Sequence, residues 1–284
     1  MSILEEICNR KRQDLSAIKE QLPPRDLYRK VEALMDNPQP LRSLSAALKQ
    51  AAERACCTDN QGCSAAQGAQ QQSPTGIIAE FKRKSPSKGW IKEEGKPEII
   101  PPAYEKAGAT ALSILTDEHY FGGCNDYLRT ARPLVSLPIL RKDFMVDEYQ
   151  IFEAKEMGAD AVLLIAACLT KAECLALART ARMLNLDTLL EIHDETELDY
   201  ISEEINVVGV NNRNLHVFRT DVQTSVNLAP KIPNEFVKIS ESGLATPEDL
   251  KMLRLCGYQG FLMGERFMKT DDPGQALADF IAKL

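Results

Sequence analysis

Glu80 and Lys82 stand two residues apart at the end of the apolar run IIAEF (77–81), which continues into KRKSPSKGW. Alternate side chains of an extended chain share a face, so a carboxylate and an ammonium project together from this strand end. The pairing of an apolar run with a polar end recurs down the chain. Arg141, Lys142, Asp143 and Phe144 close one run, Glu191 and His193 another, and Asn211, Asn212 and Arg213 a third; Glu241, Ser242 and Gly243, then Gly264 and Glu265, close the last two. A single lysine or glutamate at a strand end is most often a solvated charge. Charges of both signs at the same end of several strands converge on one mouth, and that is what acid–base chemistry on an anionic substrate needs.

Eight apolar runs must position these groups: 77–81, 111–115, 137–141, 161–165, 188–192, 207–210, 237–240 and 260–264. Helix signals lie between them. Thr170 with Glu173 has the form of a capping box, and Thr246-Pro247-Glu248-Asp249 places a cap, a first-turn proline and acids in the first turn. Gly108, Gly158 and Gly257 stand where helices should stop, shortly before the next run. Alternating strands and helices with continuously apolar strands predict an α/β fold with a parallel sheet covered by helices. Eight units in residues 77–284 fit the short end of the (β/α)8 TIM barrel range. A doubly wound open sheet is the alternative, disfavoured because no GxGxxG follows the first run. In such a barrel the last two loops, SESGLATPEDL and FLMGERFM, are the usual phosphate site. Ser242, Gly243, Gly264 and Glu265 could offer backbone N–H groups there, unless the glycines only make turns. Lys84 or Lys88 could neutralise the same phosphate from the first loop.

Residues 1–55 read as an N-terminal helical extension, with Leu4, Ile7, Leu15 and Ile18 near helical spacing and LRSLSAALKQAAERA rich in helix formers. Residues 56–75 turn to Gln, Ser, Ala and Gly and read as a flexible low-complexity loop, leaving 76–284 for the barrel. The net charge of −7 argues against a general nucleic-acid binder. The start of the chain lacks the pattern of a signal peptide, and the longest apolar stretch, 161–169, is too short to span a bilayer. A cytoplasmic protein is expected. The eight cysteines form no CxxC pair and, with no histidine beside the 56, 57 and 63 group, are expected to be reduced thiols rather than a metal site.

In sequence, IIAEFKRKSPSKG resembles the first-strand signature of the indole-3-glycerol phosphate synthase family. The likeness continues through LSILTDEHYFGG, PILRKDF, LLEIHDE, GVNNRNL, KISESG and LMGERFM, in order across 77–284, and the N-terminal helices resemble the family's extension. The resemblance implies ring closure, decarboxylation and dehydration of 1-(o-carboxyphenylamino)-1-deoxyribulose 5-phosphate, a small phosphorylated substrate, without metal or organic cofactor. It implies Lys142 as the acid for ring closure and Glu191 as a carboxylate in proton transfer or charge stabilisation. Lys82 would contact substrate and serve as dehydration acid, and Glu80 would bind sugar hydroxyls or act as base. Asn211 and Arg213 would meet the anthranilate side, an arginine fork suiting its carboxylate. Ser242, Gly243, Gly264 and Glu265 would hold phosphate, with Lys84 and Ser85 contributing from the first loop, and Glu241 would orient a neighbour. Phe121 and Phe144 either wall the aromatic ring or pack at the rim. His119 and His193 are assigned nothing, because the family does its proton work with lysine and glutamate.

Two departures stand out. Position 265 is Glu, where many relatives have Ser, and an inward carboxylate would repel phosphate. The 56–75 insertion is longer than the family's usual connection. Two rivals use the same scaffold: a phosphosugar isomerase, which would need no receptor for an anthranilate carboxylate, and a non-catalytic phosphate-binding barrel, which would show a broken acid–base set. A monomer is expected.

Overall fold

The computed structural model describes residues 3–37, 40–59, 75–213 and 219–284. Three helices come first, α1 (Ile3–Gln21), α2 (Pro24–Asp36) and α3 (Leu44–Asp59). Helix α3 runs four residues past the expected start of the low-complexity loop, whose positions 60–74 lie outside the described residues. The first barrel strand is β1 (Ile77–Phe81). It is followed by a small antiparallel hairpin, β2 (Lys84–Ser85) and β3 (Gly89–Trp90), and by α4 (Ile100–Ala107). Then come β4 (Ala111–Leu115), α5 (Glu118–Phe121), α6 (Asn125–Ala131), β5 (Ile139–Lys142), α7 (Glu148–Met157), β6 (Ala161–Ile165) and α8 (Lys171–Met183). The chain ends with β7 (Asp187–Ile192), β8 (Val207–Asn211), α9 (Gln223–Leu228), β9 (Val237–Glu241), α10 (Pro247–Leu255), β10 (Gly260–Met263), α11 (Glu265–Met268) and α12 (Pro273–Ile281).

Strand β1 pairs in parallel with both β10 and β4, so the sheet closes into an eight-stranded barrel and the open-sheet alternative falls. The caps act as their sequences suggest. Thr170 with Glu173, and Thr246 with Asp249, form reciprocal capping boxes, and Gly108 and Gly158 end α4 and α7 in left-handed conformation. One expected helix is missing: β7 and β8 are joined by a 3-10 segment, Glu195–Tyr200. Among the described residues no helix is long and apolar enough to cross a membrane. Cys8, Cys124, Cys168, Cys174 and Cys256 carry free thiols, and the side chains of the 56, 57 and 63 cysteines lie outside the described residues.

The period-2 alternation of a strand sorts each one into an outer row under the helices and an inner row along the barrel axis. Ile77, Ala79 and Phe81 belong to the outer core, whereas Ile78 packs inside with Leu140, Leu163, Leu189, Val207, Val237, Ile239 and Leu262. Continued two residues towards the C-terminal end, the inner rows change chemistry: Ile78 leads to Glu80, Leu140 to Lys142, Leu189 to Glu191, and Ile239 to Glu241. The barrel is therefore apolar at depth and charged at its C-terminal mouth.

The N-terminal helices reach both ends of this barrel. Lys11 of α1 sets its ammonium between Asp117 and Asp143, 2.8 Å from each, just beyond the C-terminal ends of β4 and β5. Burial alone would lower the lysine's pKa, but the two carboxylates outweigh it and raise it. Helix α2 packs on the outside against α7, with the rings of Tyr28 and Phe152 4.0 Å apart. Helix α3 reaches the opposite end. Ser43 Oγ and the Ser45 N–H donate to Asp187 at the start of β7, at 2.9 and 2.8 Å. Leu44 and Leu48, both fully buried, join the interior core. Gly260, the first residue of β10, makes room for this plug: a Cβ there would lie 2.9 Å from Leu48 Cδ2.

Candidate active site

The charged mouth opens into a cavity of about 200 Å³. Glu80, Lys82, Lys142, Glu191, Asn211, Arg213 and Glu241 all line it. Ile3, Leu4 and Ile7 from the inner face of α1 cover one side, and Phe121 and Phe144, with ring centroids 6.0 Å apart, form an aromatic wall. Ser242, Gly243, Gly264 and Glu265 line the side formed by the last two loops. Ser242 and Gly243 both adopt positive φ, 68° and 72°, which turns the chain sharply after β9; a Cβ on Gly243 would meet Thr220 Cγ2 at 2.4 Å. Gly264 lets β10's end pass Glu80, whose Cβ would lie 2.7 Å from an added Cβ.

Lys84 and Ser85 do not join the cavity. The β2–β3 hairpin, tightened by Gly89 at φ +69°, turns Lys84 outward. Its ammonium donates to the His119 carbonyl at 3.2 Å and lies 5.6 Å from the Trp90 ring centre. Ser85 is buried within the hairpin, and it is Pro86 that lines the site. The outward strand-end groups went elsewhere too. Arg141, one residue from Lys142, points under the helices, where it pairs with Glu153 at 2.6 Å and Asp143 at 3.3 Å. Arg266, not singled out in the sequence, lines the cavity beside Glu265 and donates to the Ala245 carbonyl at 2.5 Å.

The electrostatics turn on three carboxylates, Glu80, Glu191 and Glu241, only 4, 3 and 2 % exposed. Lys82 pairs with Glu80 at 2.5 Å. Lys142 Nζ lies 3.3 Å from Glu191 Oε2 and 3.8 Å from Glu241 Oε2. Burial works to lower the lysine's pKa, but Glu191, Glu241 and Glu80 outweigh it and hold Lys142 above the ordinary lysine range. Burial likewise would raise Glu191, yet Lys142, His193 and Asn211 bring it below the usual carboxylate range. Glu241 goes the other way. Burial, reinforced by Glu191 and Glu80 against the pull of Lys142, pushes it up to about 8. Among the described residues its Oε1 has no hydrogen-bond partner. Two buried carboxylates driven apart in this way, one ionised and one protonated at neutral pH, give a site separate acid and base capacities.

The interior makes a specific allowance for Glu241. Gly209, on β8, faces it, and a Cβ at that position would come 2.4 Å from Glu241 Oε1 and 2.9 Å from Leu189 Cδ1. His193, assigned nothing from sequence, also enters here: its ring lies between Glu191 and Glu197. A signal was present, since Glu191 and His193 are two apart on one strand face and Glu197 follows four residues later.

A closed parallel barrel with acid–base groups on its C-terminal rim, tight loops after its last two strands and an aromatic wall is the arrangement of a barrel enzyme that does acid–base chemistry on a small anionic substrate. Comparison with known proteins is more specific. Residues 4–280 match the family described as indole-3-glycerol phosphate synthase. A protein of that name from Bacteroides thetaiotaomicron is 57% identical over 212 residues, covering 75% of this chain and 82% of its own. One from Delftia acidovorans is 40% identical over 286 residues, covering 99% of each. Among solved structures, a chain of the tryptophan synthase α2β2 complex from Pyrococcus furiosus superposes with TM-score 0.55 at 14% identity, covering 74% of this chain and 97% of that one, a likeness of fold alone. The chain belongs to the indole-3-glycerol phosphate synthase family. It is a carboxy-lyase of tryptophan biosynthesis that closes the indole ring, and the isomerase and scaffold readings are set aside.

Proposed function

We propose that the mouth groups divide the steps of indole formation as follows. The ring carbon that bears the carboxylate attacks the ketone carbon, and Lys142 donates a proton to the ketone oxygen as the new carbon–carbon bond forms. The electron pair released when carbon dioxide leaves restores the aromatic ring. The hydroxyl then departs as water with a proton from Lys82, while a carboxylate takes the proton from the carbon next to nitrogen. Glu191, held ionised, stabilises positive charge on the nitrogen or accepts that proton, and Glu80 binds sugar hydroxyls beside Lys82. Arg213 and Asn211, which line the same cavity as the aromatic wall, face the anthranilate carboxylate. The loops at Ser242, Gly243, Gly264 and Glu265 receive the phosphate, with Arg266 as a cation from the same side. Lys84 and Ser85 are given no part.

The observation that carries this reading is the position of Lys142, an ammonium in the barrel interior with Glu191 and Glu241 as neighbours and the aromatic wall on the same cavity. The N-terminal helices (1–55) and the barrel (76–284) act as one catalytic unit, supported by Lys11 of α1 pairing with Asp117 and Asp143 beyond the strand ends; the chain works as a monomer in the cytoplasm. The test is direct. Purified protein is mixed with the carboxyphenylamino-deoxyribulose phosphate in chelator, and indole absorbance is followed. Product is expected to form without added metal. A folded protein that forms none overturns the reading, with Glu265 the first position to exchange for Ser.

A further inference from the structure

His193 follows directly after β7 and projects on the same side as Glu191. Its side chain is 12 % exposed and lies outside the cavity lining, so it reaches the site only through its neighbours. Nε2 is 3.3 Å from Glu191 Oε1, an ion-pair distance without hydrogen-bond alignment, and among the described residues this buried nitrogen has no hydrogen-bond partner. Nδ1 is 3.2 Å from Glu197 Oε2, and that same oxygen accepts the His193 backbone N–H at 2.6 Å. The other oxygen of Glu191 faces Lys142. The carboxylate therefore has a basic side chain 3.3 Å from each of its oxygens, Lys142 on one and His193 on the other.

We propose that His193 is a positioning residue for ring formation: held as an imidazolium between Glu191 and Glu197, it fixes the orientation and the ionised state of the Glu191 carboxylate. The groups facing it agree in sign. Glu191 comes from β7, Glu197 and Asp194 from the segment after it, and Glu241 acts across the barrel from β9. Burial acts to discharge the imidazole, but the carboxylates of Glu191 and Glu197 outweigh it and raise its pKa to about 10. The inference rests on the reading of Glu191 given above.

A merely structural histidine would anchor the 195–200 segment through Glu197 and affect catalysis through folding alone. A double-mutant cycle separates the two. In the absorbance assay His193→Ala is expected to lower kcat about 10- to 100-fold, the scale of one lost charge-assisted contact, with little change in KM. His193→Gln keeps a donor without the charge and is expected to recover part of that loss. The acid limb of kcat/KM moves up by about one unit or more in both, because Glu191 loses a neighbouring cation. In a Glu191→Gln background His193→Ala should leave the residual kcat nearly unchanged. An equal loss in both backgrounds, or an unmoved acid limb with full kcat, overturns the inference and leaves the Glu191 reading standing. Full turnover by Glu191→Gln alone overturns both. If His193→Ala fails to fold by circular dichroism, His193→Gln supports the same cycle.

Discussion

The two ends of the barrel are built from the same strands and sealed by the same N-terminal extension, yet they are chemically opposite. At the bottom, Leu44 and Leu48 of α3 fill the interior and Gly260 steps aside for them. At the top, α1 brings only the apolar face of Ile3, Leu4 and Ile7 over the cavity, and the strand ends supply buried charge. One end is packed for stability, where a lost methylene leaves a void. The other accepts three buried carboxylates and two lysines, an arrangement costly to a fold and useful only to chemistry.

If that contrast is real, substitutions at the two ends should fail in different ways. The largest effect belongs to the top: Lys142→Met is expected to lower kcat by about 10²–10⁴-fold, the usual weight of one acid–base group, as measured by indole formation. Gly209→Ala comes next. Its methyl group would displace the Glu241 carboxyl by the order of an ångström, for an expected loss of about 100-fold in kcat. At the bottom, Leu48→Ala should cost about 2–5 kcal/mol by denaturant unfolding and leave kcat unchanged; a kcat loss there would mean the plug is coupled to the mouth.

The smallest effect is a slope. Between its ordinary value of 4.5 and its folded value of about 8, Glu241 keeps a proton that the unfolded chain has released, so its contribution to stability falls as pH rises through that window. His193, raised from 6.5 to about 10, adds a loss of the same sign only above 6.5. Glu241→Gln should therefore flatten the decline of Tm between about pH 5 and 6.5; an unchanged slope would show Glu241 ionised in the fold.

Much of the top was legible because a strand's two-residue period carries inside and outside with it. Once IIAEF was a strand, Ile78 and Glu80 had to share the inner row, and the family motifs placed Lys142, Glu191 and Asn211 in the neighbouring rows. What failed was local chain reversal. Lys84 and Ser85 read as site groups because they follow Lys82 closely, but the hairpin closed by Gly89 faces Lys84 towards Trp90. The bottom plug was not legible at all. A helix-rich 41–55 announces a helix, but nothing local says that Leu48 will meet Gly260. Lys11 escaped because its meaning lies in Asp117 and Asp143, which only folding brings to it; His193 escaped although its partners Glu191 and Glu197 are near in sequence, because the resemblance gives the proton work to lysine and glutamate alone.

The clasp between α1 and the barrel also sets an order in time. Lys19 and its partner Asp147 are 128 residues apart in the chain, and Lys11 closes on groups that follow β4 and β5. As the chain emerges from the ribosome, α1 precedes every strand end that it will cover. Its apolar face must wait, unburied, until half the barrel has been made. The cover of the site is thus among the first elements made, and its clasp cannot close before the chain has been made through Asp147.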